Sequence, residues 1–186
     1  ISLSNNDGNE YNTVFGYNAL SNNGTVLGNV GADYNVAVGY KALGGTGTKT
    51  DATNNIGIGW SALAGIETAD NNVAIGYSAG IAITTSSDNV IVGKNAFLVA
   101  NGGQNNNVII GSGAASAMNT SACDSNVIIG KDAAVGGTQT TTKCIVIGES
   151  AMTTAPGGSD SQTGTIAIGH QALTALTSGD GNIAIG

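Results

Sequence analysis

The chain has 186 residues with 30 glycines, one proline, one tryptophan and two phenylalanines, and its five lysines face twelve acids for a net charge of −7. Glycine stands at more than twice its usual share of about 7%, yet it does not recur at every third residue, which excludes collagen. There is no arginine, and lysines scattered at 41, 49, 94, 131 and 143 exclude the clustered basic surface a nucleic-acid partner requires; the same sign disfavours anionic lipid.

In chain order, one short phrase recurs ten times. An apolar step ends in glycine at Gly16, Gly39, Gly59, Gly76, Gly93, Gly111, Gly130, Gly148, Gly169 and Gly186. The intervals are 23, 20, 17, 17, 18, 19, 18, 21 and 17 residues. A period this short predicts a solenoid, in which each repeat supplies one coil and only stacking builds a core. The 41% hydrophobic content arrives in regular packets, which a disordered chain has no reason to do. The first and longest interval holds an imperfect inner copy, Thr25-Val26-Leu27-Gly28, read as a distorted coil.

Counting each marker glycine as zero assigns a task to each slot. Slot minus four is Asn at 12, 35, 55, 72, 89, 107, 126 and 182, with Cys144 and Thr165 as exceptions. Its amide could satisfy the backbone at a corner or bond the Asn one coil away. Slots minus three and minus one are aliphatic in all but the first unit, which has Thr13 and Phe15; examples are Val36/Val38, Ile56/Ile58 and Ile183/Ile185. Residues two apart share one face of a strand. Slot minus two faces the other way and is also apolar, with Ala37, Ala74, Ile91 and Val146 among its occupants. A strand apolar on both faces must be covered on both, and one coil covers only one. The other face needs the far wall of a flattened roll or another chain.

The glycine is where the strand turns, either because φ is positive there or because a side chain would strike the neighbouring coil. Three residues later stands Ala in every copy that extends so far: Ala19, Ala42, Ala62, Ala79, Ala96, Ala114, Ala133, Ala151 and Ala172. A tightly packed corner would explain why nothing larger is used. The rest of each unit is rich in Thr, Ser, Asn and Gly and is expected to hold a second short strand and a solvent loop. Coils about 4.8 Å apart would give a rod on the order of 50 Å.

Catalytic, cofactor and metal residues are not assigned. His170, the one histidine, lies in the slot after glycine, which elsewhere holds Tyr, Trp, Lys, Ser or Glu, and no metal-ligand spacing accompanies it. The acids Glu10, Glu67 and Glu149 form no pair suited to polysaccharide hydrolysis. Asp33, Asp70, Asp88, Asp124 and Asp180 precede their strands by similar distances, but the calcium-binding nonapeptide phrase is absent. Gly44-Gly45-Thr46-Gly47-Thr48-Lys49 matches no full phosphate-loop motif, and Asn23-Gly24-Thr25 and Asn119-Thr120-Ser121 fit the glycosylation pattern that chance often produces. Cys123 and Cys144 are read as buried free thiols rather than a disulfide framework. Tyr17, Tyr40, Trp60 and Tyr77 predict an aromatic stripe, one ring per coil. It could meet a cell-surface glycan or protein receptor, or pack across subunits and shield corner backbone.

The phrases Asn72-Val73-Ala74-Ile75-Gly76-Tyr77-Ser78-Ala79 and Val36-Ala37-Val38-Gly39-Tyr40-Lys41-Ala42-Leu43 resemble the head repeats of trimeric autotransporter adhesins. They resemble more closely the AIGYxAL repeats of phage tail fibres that end in an endosialidase-type chaperone domain. The resemblance spans residues 12 to 186. It implies a left-handed parallel β-roll of about ten coils, intertwined or side by side with two identical chains in a homotrimer. The irregular second half of each unit departs from the shorter adhesin repeat. Residues 1–11 are read as a lead-in and 12–186 as one repetitive β-roll domain, a fragment of a longer fibre. The expected function is a non-enzymatic structural segment of a viral tail fibre, with a bacterial surface adhesin head as the alternative, and with no nucleic-acid partner, membrane insertion or cofactor.

Overall fold

A computed structural model describes residues 11–21, 31–45, 51–100, 102–136, 141–153, 162–176 and 179–186. The inner copy Thr25–Gly28, the lead-in up to Glu10, the sequence Asn23-Gly24-Thr25 and the Thr46–Lys49 part of the glycine-rich phrase lie outside these residues. The strands are β1 (Thr13–Phe15), β2 (Val36–Val38), β3 (Ile56–Ile58), β4 (Val73–Ile75), β5 (Val90–Val92), β6 (Val108–Ile110) and β7 (Val127–Ile129). They continue with β8 (Thr141–Thr142), β9 (Ile145–Ile147), β10 (Gln162–Thr163), β11 (Ile166–Ile168) and β12 (Ile183–Ile185). Ten of the twelve form one sheet in the order β1-β2-β3-β4-β5-β6-β7-β9-β11-β12. The fold is therefore an all-β parallel solenoid, elongated and repetitive.

Every pairing in that sheet is parallel and joins the same slots of consecutive repeats, as in Val73↔Val90, Ala74↔Ile91 and Ile75↔Val92. Variation in loop length never shifts this register. The second strand expected in each unit appears, among the described residues, only as the two-residue pair β8 and β10. Elsewhere the rest of the coil is turns. It stacks by isolated hydrogen bonds such as Leu63 N–H to Ala79 O at 3.0 Å and Ser78 N–H to Trp60 O at 2.8 Å.

Short strands follow from closely spaced corners. In every repeat, the residue five before the glycine has a left-handed backbone, from Tyr11 and Tyr34 to Gly164 and Gly181. Left-handed residues recur two and four after the glycine, as at Ser61 and Leu63. Only three extended residues fit between the first corner and the glycine. Such conformations cost a non-glycine residue roughly 1–2 kcal/mol, so stacking and burial must over-determine them.

The core is filled by slot minus two together with the corner Ala and the residue after it. Ala37, Ala74, Ile91, Ile109, Ile128 and Val146 are fully buried, as are Ala42, Ala62, Ala79 and Ala96. Volumes compensate across this core. Gly57 leaves the space that Leu43 Cδ1 occupies, since a Cβ built there would lie 2.7 Å from it. Gly80 likewise makes room for Ile91, Ile83 and Leu63, each within 3.1 Å of a built Cβ. Close packing permits such exchanges of size between neighbours better than it permits a void or an overfilled site.

Candidate functional site: three ladders and an open apolar face

Slot minus four aims its side chain into the coil. Asn55, Asn72, Asn89 and Asn107 are fully buried, and each is tied to its neighbours above and below. The backbone N–H of Asn89 donates to Asn72 Oδ1 at 3.1 Å, and Asn107 N–H donates to Asn89 Oδ1 at 3.0 Å. Asn89 Nδ2 donates to Asn72 Oδ1, Ser87 O and Gln104 O, each at 3.0 Å. Both open options for this Asn are realised together: the amide satisfies corner carbonyls and also bonds the Asn one coil away. The energetic reason is that a buried amide without partners is costly, while a fully satisfied network is not.

The two exceptions keep half of this chemistry. Cys144 N–H donates to Asn126 Oδ1 at 3.0 Å, and its thiol donates to Gln162 O at 2.9 Å, where an Asn would use Nδ2. Thr165 makes the corresponding contact to Gly179 O at 3.5 Å. Cys123 is also buried and forms no disulfide, and its Sγ lies 2.8 Å from Thr120 Oγ1. Burial pushes the Cys144 thiol pKa up, with backbone hydrogen bonds to Thr165, Gly164 and Thr142 pulling the other way. The folded state thus favours the protonated thiol. That contribution is whole below the ordinary thiol value of about 8.5, and it declines as pH rises through that value toward the folded one. Cys144→Asn should extend the ladder by one rung, raise stability by on the order of 1 kcal/mol and flatten the alkaline limb of a melting-temperature profile between pH 7 and about 10. Unchanged melting at every pH would count against the thiol as the weak member of this column.

A second ladder runs two residues earlier and in the opposite direction. Thr53 N–H donates to Asp70 Oδ1 at 2.7 Å, Asp70 N–H to Ser87 Oγ at 3.0 Å and Ser87 N–H to Asn105 Oδ1 at 2.7 Å. Asn105 N–H then donates to Asp124 Oδ1 at 2.6 Å, and Thr163 N–H to Asp180 Oδ1 at 2.8 Å. The recurrence of Asp, Asn, Ser or Thr at this slot is visible in the sequence, although acids at such offsets suggest calcium ligands rather than acceptors of backbone N–H groups. Three of them hold the backbone of the preceding coil. Asp88 stands one residue out of this column and accepts from Asn71 Nδ2 at 3.1 Å. Among the described residues no cluster of three or more His, Cys, Asp or Glu side chains is placed to hold a metal ion.

The aromatic stripe forms the third ladder. Tyr17 and Tyr40 stack with centroids 5.6 Å apart, Tyr40 and Trp60 at 5.8 Å, and Trp60 and Tyr77 at 4.7 Å, all within 12° of parallel. Each inner ring therefore spends both faces on its neighbours and offers its edges to solvent. Lys41 Nζ lies 5.6 Å from the Tyr40 ring centre. Further along, the same slot carries Lys131, whose Nζ is 3.1 Å from Glu149 and 3.3 Å from Asp132. These carboxylates raise the Lys131 pKa. His170 is exposed in this column.

Beside this stripe lies the open face. Slots minus three and minus one point outward in all ten strands of the main sheet, and all are half-buried or exposed. Ile58, Ile75 and Ile110 are 37%, 39% and 37% exposed in mid-sheet. From β2 onward two columns of Val and Ile thus run side by side along the roll, with Thr13 and Phe15 at their head, and among the described residues nothing lies over them. A contiguous apolar surface of this kind marks an interaction site, whereas scattered exposed aliphatics do not. Among the described residues no helix is long and apolar enough to cross a membrane. Comparison with protein-family models, curated proteins and solved structures finds no match.

Proposed function

We propose that this chain is a non-enzymatic shaft segment of a trimeric fibre, assembled from three copies in a viral tail fibre or a comparable attachment organelle of the virion. The single observation behind this reading is the uncovered double column of Val and Ile. Three identical chains bringing these columns together would give each strand its second buried face, as a parallel sheet apolar on both sides demands. Polar side chains on the minus-six and minus-five slots would then face outward. The left-handed winding and the intertwined or side-by-side arrangement implied by the repeat resemblance belong to the same reading. Its mechanism is mechanical: hydrogen-bonded coils resist extension, and the shared apolar axis resists bending.

Light scattering tests it. The expected particle has about three times the chain mass of 18.2 kDa, and a particle of 18.2 kDa overturns the assembly. Ile75→Lys combined with Ile110→Lys places two cations on the open face without touching the core, so the expected product is a folded single chain with its strand signal kept.

The exposed ring edges of Tyr17, Tyr40, Trp60 and Tyr77 favour a second reading, a bacterial surface adhesin head that meets host matrix or glycan. Self-stacking leaves few ring faces for sugar, which is why the shaft reading leads. A glycan-array hit that shifts Trp60 emission would reverse that order.

A further inference from the structure

Tyr11 and Tyr34 form a second aromatic pair that none of the roles above uses. They occupy the minus-five slot of the first two repeats, where later repeats carry Asn54, Asn71, Asp88, Asn106, Ser125 and Lys143. Both have the same left-handed backbone, with φ of 58° in each. Their side chains therefore leave the roll in the same direction from corresponding points of adjacent coils. The rings lie 4.9 Å apart and within 7° of parallel, and they are 70% and 55% exposed. Hydrogen bonds from Asn12 Nδ2 to Ala32 O and from Asn35 N–H to Asn12 Oδ1 fix the two corners against each other.

We propose that Tyr11 and Tyr34 are a site of oxidative cross-linking, joining neighbouring coils as an intrachain dityrosine. The reagent class is a one-electron oxidant, such as a haem peroxidase with hydrogen peroxide. Each phenol gives up one electron and one proton, leaving two phenoxyl radicals, and the peroxide accepts both hydrogens and ends as two waters. The radicals couple through one Cε of each ring. The hydrogen on each coupled carbon then moves to the adjacent oxygen, restoring two phenols, so the protein loses two hydrogens in all. Radicals held side by side couple without a diffusional encounter, which is the advantage of a fixed geometry. Tyr17 and Tyr40 are less well placed: their centroids are 5.6 Å apart, and Tyr40 also stacks on Trp60, which competes for the radical. The link would staple the first coil across the longest interval between marker glycines.

The test treats the full chain with peroxidase and hydrogen peroxide, followed by intact mass and peptide mapping. The expected product is a single chain lighter by two hydrogens, with blue dityrosine emission and a peptide pair joining Tyr11 to Tyr34. Tyr34→Phe keeps a ring in the stack but has no phenol, so the intrachain link should vanish while the fold remains. The yield should fall by at least tenfold when the same reaction is run in concentrated urea. Equal yield in urea, a predominant Tyr17–Tyr40 link, or only links between chains would each overturn the proposal.

Discussion

Gly93→Ala should destabilise the roll by on the order of 2–6 kcal/mol, the sum of backbone strain of about 1–3 kcal/mol and overpacking of similar size. Gly93 has φ of +142°, and a Cβ on it would lie 2.3 Å from Gly111 O and 2.6 Å from Gly111 C. Neither atom is the end of a flexible side chain, so relief requires two coils to separate. The same contact repeats along the column, from Gly16 against Gly39 to Gly169 against Gly186. Both explanations for the marker glycine hold at once: the backbone is left-handed, and the neighbouring coil leaves no room for a side chain. Urea denaturation followed by circular dichroism measures the effect. Gly164→Asn supplies the contrast, because Gly164 has φ of +68° with nothing within 4 Å of a built Cβ, and the same slot elsewhere holds Asn54, Asn71 and Asn106 in that conformation. It should leave stability unchanged or raise it by up to about 1 kcal/mol through lost unfolded-state entropy. Equal losses in the two variants would refute the contact as the cause.

Asn89→Ala should cost a comparable amount, on the order of 3–5 kcal/mol. The substitution removes three donor contacts and both bonds accepted by Oδ1. It strands the N–H of Asn107 and the carbonyl of Gln104 in the interior, at about 1–3 kcal/mol each. Asn89→Cys should lose less, because Cys144 shows that a thiol in this slot can still donate to the carbonyl that Asn Nδ2 reaches. Hydrogen exchange at Asn107 N–H reads the effect locally. In a solenoid each coil leans mainly on its neighbours, so protection should fall around β5 and β6 before it falls at β11. Uniform loss along the sheet would show that the ladder acts globally.

Much of this architecture was legible because a stacked coil repeats its constraints. A slot that must be small, such as Gly93 or Ala96, or must carry an amide, such as Asn89, must be so in nearly every copy. Repetition within one chain thus exposes its packing rules. The polar ladder through Asp70, Ser87, Asn105 and Asp124 left an equally regular trace, but its mixture of residue types hid a single shared task, accepting one backbone N–H. The second strand expected in each coil is mostly replaced by turns. Left-handed residues two and four after the glycine bend the chain too often for extended backbone, and residues such as Lys41 and Leu43 carry no obvious signal of a positive φ.

The period, the parallel stacking, the corner glycines and the apolar character of both strand faces follow from residue type and spacing alone. Which apolar set faces the core was decided only by the tertiary structure. Slots minus three and minus one hold the larger aliphatics, yet they point outward, while the smaller or more variable slot minus two fills the interior. The physical reason is the shape of the coil. Its interior is shared with the corner alanine, the residue after it and the Asn amide, so only one side chain per strand fits. The volume of that side chain must match its neighbours, as Gly57 matches Leu43. The larger pair is left on the surface, and it is this choice that turns a stable solenoid into one with an open apolar face.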